Sequence, residues 1–212
     1  MRDSYRKMLE KLHIDLIGLG ALCEEAIGNA VRGLIEENTA SREKVAELEQ
    51  EINLKERMIE TFCVKLLLRE QPVAGDLRQI TAAQGIIANM ERIGDQAADI
   101  AKLSVFMVGS AVKSDIHIGD MARAAIKMLS DSVDSFVGSD LDKARRVIEY
   151  DDVIDRLFDR VKEELINLIL TDSNHGGACL DLLMIAKYFE RIGDHAQNIA
   201  EWVVYFITGA KC

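Results

Sequence analysis

Glu91 and Asp95 stand four residues apart, and so do Glu190 and Asp194. On an α-helix that spacing puts both carboxylates of a pair on one face. Asp99 and Asn198 extend the two rows by one further turn. Two more pairs lie upstream, Glu49 with Asn53 and Asp151 with Asp155. Carboxylates held this close repel one another unless a positive charge sits among them. Oxygen donors suit hard or borderline cations such as Mg, Ca, Mn, Fe and Zn, so the chemistry open to these residues is cation binding. The plainer alternative is a solvated acidic face with Arg92 and Arg191 as local ion-pair partners. The histidines add little. Glu10 and His13 form one Glu-x-x-His, whereas a ferritin-like di-iron site needs two such motifs with partner glutamates. His195 follows Asp194 but sits about 100° further round a helix. Both read as ordinary packing or surface residues, and His117 and His175 share no ligand spacing with them.

The elements that must position these rows follow from self-comparison. Residues 91–101 and 190–200 agree at eight of eleven positions, 99 residues apart. Residues 49–53 are echoed at 151–155, an offset of 102. A period of nearly half the chain means a tandem repeat, 1–109 followed by 110–212. A single proline, Pro72, and 5% aromatic residues argue for long helices over sheet. Caps and breakers predict helices over about 3–37, 41–70, 76–108, 115–137, 141–170 and 179–207, with Ser41 opening the second and Asp76 capping the third. The fold class is therefore all-α, six long helices in two tandem three-helix bundles. In the first hairpin, turning near residue 73, Glu49 comes level with Asp95 and Asn53 with Glu91 at about 1.5 Å per residue. In the second, turning near residue 174, Asp151 and Asp155 come nearly level with Asp194 and Glu190.

Charge and composition narrow the function. The chain carries 26 basic and 36 acidic residues, a net charge of −10. No basic footprint for nucleic acid and no polybasic lipid anchor stands out. Cys23, Cys63, Cys179 and Cys212 are scattered, with no Cys-x-x-Cys, and read as idle thiols of a reducing compartment. The charged N-terminus has no apolar signal region, and the longest uncharged run, Gln79 to Met90, covers 12 residues. The expectation is a cytoplasmic protein that meets a membrane only through partners. There is no P-loop, no Gly-x-Ser-x-Gly and no repeated Glu-x-x-His, so no enzyme is expected.

Gln71-Pro72-Val73-Ala74-Gly75-Asp76-Leu77-Arg78, followed by Glu91-Arg92-Ile93-Gly94-Asp95 and again by Glu190-Arg191-Ile192-Gly193-Asp194, resembles the PhoU family of phosphate-transport accessory regulators. The resemblance spans essentially the whole chain. It implies two bundles related by a pseudo-two-fold. It also implies multinuclear iron or zinc sites held by Glu49/Asn53 with Glu91/Asp95 and by Asp151/Asp155 with Glu190/Asp194. Asn53 departs from the family's Asp, and Asn198 differs from Asp99, so equal occupancy of the two sites is not implied. The resemblance further implies a negative regulator of the phosphate-starvation response. Such a protein links the ATPase subunit of a phosphate ABC transporter to a sensor histidine kinase, often as a homodimer. Two other readings stay open: a metal-dependent phosphohydrolase using the paired carboxylates, and a metal-free helical scaffold.

Overall fold

The computed structural model describes residues 2–110, 112 and 116–210. Among them there are six long helices and no strand: α1 (Arg2–Ile35), α2 (Thr39–Glu70), α3 (Gly75–Ser104), α4 (Ile118–Gly138), α5 (Leu141–Thr171) and α6 (Gly176–Thr208). Short 3₁₀ turns, Val105–Met107 and Ser173–His175, follow α3 and precede α6. The helix ends differ from the expectation in instructive places. α2 opens at Asn38, whose side chain accepts from the Ser41 N–H at 3.0 Å, so Ser41 is the capped residue and not the cap. α3 starts one residue before Asp76, which lies in its first turn near the positive end of the helix dipole. Asp140 caps α5 by accepting from the Lys143 N–H at 2.8 Å. α6 begins at Gly176, three residues earlier than expected, because the Ser173–His175 turn leads directly into it. The expected start of the fourth helix, Asp115, lies outside the described residues, as does Cys212.

Each half is a three-helix unit, and the two share one core. α1 packs on α2 and α3, and α6 packs on α4 and α5. The broadest contact in the molecule joins the halves, α3 against α6, and α1 also meets α4. α3 and α6 run antiparallel. Arg78 Nε donates to the Phe206 carbonyl at 3.2 Å, the Trp202 ring lies against Gly85, and the Asn89 Oδ1 meets His195 Nδ1 at 3.0 Å. At one end His13 sets its ring edge on Phe136 at 5.5 Å, and Phe136 meets Phe206 at 5.6 Å. Buried apolar residues run without a break from Leu12 to Val204. α2 and α5 flank this core, each packed on its own half. Cys23, Cys63 and Cys179 are buried free thiols, and burial pushes Cys63 up to about 12, well away from a reactive thiolate. Among the described residues no helix is long and apolar enough to cross a membrane.

Candidate metal centre

The carboxylate rows face each other because two helix pairs seat an isoleucine of one on a glycine of the other. A β-carbon at Gly94 would sit 3.0 Å from Ile52 Cδ1, and one at Gly193 would sit 2.9 Å from Ile154 Cγ2. The glycine of each Glu-Arg-Ile-Gly-Asp motif thus receives the isoleucine between the two upstream ligand candidates. A β-carbon at either glycine would force the facing isoleucine to shift. The contact also sets the register, Ile52 opposite Gly94 and Ile154 opposite Gly193, which matches the levels read from the hairpins.

In the second half Asp151, Asp155, Glu190 and Asp194 come together. Burial and the charges of Asp155, Asp194 and Glu190 push the Asp151 carboxyl up to about 6. Burial and Glu190 raise Asp194 as well. Asp151 Oδ1 is buried without a hydrogen-bond partner and lies 3.5 Å from the β-carbon position of Gly193. Lys187 is the counter-charge: its ammonium bonds Glu190 Oε1 at 2.6 Å. It also stands 2.5 Å from Oε2, which nonetheless has no partner in hydrogen-bonding geometry.

The first half is arranged differently. Glu91 is raised by burial and by Asp95, while Arg92 folds back over both, 3.5 Å from Glu91 Oε2 and 3.4 Å from Asp95 Oδ2. Asp99 pairs with Lys102 at 3.2 Å, and the same lysine feels Glu49 and Asp95. Asn53 Oδ1 is buried and unpartnered. The sequence reading missed Glu56, which burial, Glu60 and Glu91 raise. The spacing 49, 53, 56 is the i, i+4, i+7 face of a helix, so periodicity carried the signal. Phe158 occupies the equivalent place in the second half. Lys187 had no such signal, because Ala88 stands at its equivalent position. Asn198 goes elsewhere: it lines a cleft of about 240 Å³ with Asn89, Glu201, Trp202 and Tyr205.

As they stand, no three His, Cys, Asp or Glu groups among the described residues close into a cage for an ion. The donor set still suits a cation. Asp151 Oδ1 and Asn53 Oδ1 are buried oxygens without hydrogen bonds, and an unmet acceptor of this kind costs about 1–3 kcal/mol. A hard or borderline cation would meet them and neutralise the repulsion.

The electrostatics predict a pH dependence. The Asp151 carboxyl is about 6 in the folded chain against an ordinary 3.8, so folding favours its protonated form. Its contribution to stability is complete below about pH 4 and is lost as pH rises through about 6. His13 and His195, both lowered first by burial, pull the other way as they protonate. The readout is therefore a difference between chains. In chelator, Asp151→Asn should gain thermal stability over the native chain at pH 7 and lose that gain by pH 4. A gain that stays constant with pH would show that Asp151 is not forced toward neutrality.

Known proteins give the site its context. The PhoU domain matches the chain twice, over residues 16–104 and 118–203. The chain belongs to the PhoU family. Each PhoU match contains one carboxylate cluster complete on its two helices. The chain is 35% identical to the phosphate-specific transport system accessory protein PhoU homolog of Pseudomonas putida, covering 98% of this chain and 82% of that one. It is 33% identical to the homolog from Clostridium acetobutylicum, over 99% of this chain and 97% of that one. The crystal structure of PhoU from Pseudomonas aeruginosa superposes with a TM-score of 0.90 at 31% identity, covering 97% of this chain and 100% of that chain. The phosphate transport system regulatory protein PhoU from Streptococcus pneumoniae gives 0.87 at 25% identity, over 98% and 99%. The six-helix, two-repeat PhoU architecture is thus that of this chain.

Proposed function

We propose that this chain regulates phosphate uptake and phosphate-starvation signalling as an adaptor, not as an enzyme. It couples the ATPase subunit of a phosphate ABC transporter to a sensor histidine kinase in the cytoplasm, restrains the kinase when phosphate is plentiful, and works as a homodimer. The double PhoU match carries this reading, since relatives aligned along nearly the full chain bear the name of phosphate-transport accessory proteins. The centres on α2/α3 and α5/α6 bind iron or zinc. Glu49, Asn53, Glu91 and Asp95 would hold the first ion or ions, with Asp99 beside them, and Asp151, Asp155, Glu190 and Asp194 the second. A bound ion supplies positive charge that locks each hairpin, and nothing in the reading asks it to turn over a substrate.

Deleting the gene in its own host should raise a phosphate-starvation reporter severalfold in phosphate-replete medium, and the native gene should restore silence. A reporter that stays silent after deletion, with the transporter intact, would sink the regulatory reading.

A further inference from the structure

We propose that the groove between α1 and α2 docks an amphipathic helix of a partner protein with an acidic polar face. The groove encloses about 590 Å³ on the outer flank of the first repeat. Its apolar floor is open: Leu54 is 61% exposed and Met58 63%, with Phe62 beside them. Its rim is basic, in a chain whose net charge is −10. Lys11, Lys55, Arg57 and Lys65 line it against Asp15 and Glu51. Lys11 is committed to Asp15 and lies 4.9 Å over the Phe62 ring. Arg57 acts on Glu56 and Glu91. Among the described residues Lys55 and Lys65 make no ion pair, so their charge faces a partner.

The second repeat serves as an internal control. Positions 102 residues on keep the buried pattern: Ile154 matches Ile52, Val161 matches Ile59 and Leu165 matches Cys63, all buried. At the exposed positions the match breaks, and Arg156 and Arg160 stand where Leu54 and Met58 stand, while the half-buried Phe62 is matched by Glu164. The same helix packing therefore accepts charge at these sites. Folding does not require Leu54 and Met58 to be apolar, and an open apolar patch with a polar rim is the signature of a binding surface. From Leu54 to Lys65 the floor runs about 16 Å, about three helical turns, at 1.5 Å per residue. A helix laid in such a groove presents apolar side chains at i, i+3, i+4 and i+7. The ammonium groups of Lys55 and Lys65 select glutamate or aspartate along its edges and exclude a basic helix. The inference depends on this surface alone and stands whether or not the regulatory reading does.

Two stapled fluorescent peptides about three turns long test it. They share one leucine face and carry glutamates or lysines on their flanks. The full chain should bind the acidic peptide at least about tenfold more tightly than the basic one. Leu54→Arg with Met58→Arg should cut that affinity at least about tenfold. This variant copies the second repeat's own residues, so it should fold, and circular dichroism checks that. Lys55→Glu with Lys65→Glu should reverse the preference toward the basic peptide. Equal binding of both peptides, or binding indifferent to these substitutions, overturns the proposal. So does a homodimer that Leu54→Arg with Met58→Arg disperses in sedimentation, since a second copy would then fill the groove.

Discussion

A chain carrying Asp151→Asn and Asp194→Asn should be more stable than the native protein in chelator, yet gain nothing from iron or zinc. Both halves of that result have one cause. Burial and mutual repulsion raise Asp151 and Asp194, so their ionised forms work against folding when no ion is present. Replacing them with amides removes that charge and raises the melting temperature at pH 7. The same amides remove two anionic donors. Altering supporting groups around a site already costs about 10- to 100-fold in metal affinity, so the loss here should be at least about a hundredfold. In the native chain an ion at a hundred times its dissociation constant adds about 2.7 kcal/mol of stability. Elemental analysis with melting curves, each with and without added metal, reads both effects. A native chain whose melting ignores iron and zinc would leave the rows as acidic surface. The two sites should also fill in order. The second has four carboxylates with only Glu190 covered, by Lys187, whereas Asn53 brings no charge to the first and Arg92 covers both Glu91 and Asp95. The second should therefore fill first, and Asn53→Asp should narrow the gap.

The repeat, the all-helical class and the level of each carboxylate pair were legible in the sequence because each depends on spacing along a chain. A rise of 1.5 Å per residue and a turn near Pro72 suffice to bring Glu49 opposite Asp95. What lay beyond spacing was rotation and partner choice. Nothing in the pattern of Asn198 says that it faces a cleft beside Trp202, away from the cluster one turn earlier. Lys187 reaches Glu190 from three residues upstream at a position where the first repeat has alanine, so comparing the repeats hid it. Glu56 was in reach, since it continues the face of Glu49 and Asn53, but the paired-motif pattern ended at four residues. The glycines were visible as motif letters. Their reason, the seating of Ile52 and Ile154, needs the facing helix. The shared core between halves was equally out of view, because a tandem repeat fixes what each unit is and leaves open which faces meet.

That shared core makes Phe136→Ala the most damaging single substitution we foresee. Phe136 is 1% exposed and belongs to α4, but it touches His13 of α1 and Phe206 of α6. Phe206 in turn accepts from Arg78 at the start of α3. Three helices, α1, α4 and α6, from both halves thus converge around one ring, and Arg78 ties α3 to the same end of α6. Truncating a buried phenylalanine costs about 3–5 kcal/mol, and aromatic pairs of this geometry add to what is lost. For a chain of this size that corresponds to a fall in melting temperature of about 6–20 °C. The shape of the transition matters as much as its midpoint. If the halves folded independently, the change would lower a second-half transition and leave the first in place. Because α3 seals against α6 and α1 against α4, opening the second half strips apolar surface from the first, and the two should melt together. Calorimetry of the Phe136→Ala chain should therefore show one transition moved as a whole. Two resolved transitions, one unmoved, would mean that the halves are separate folding units meeting at a weak interface.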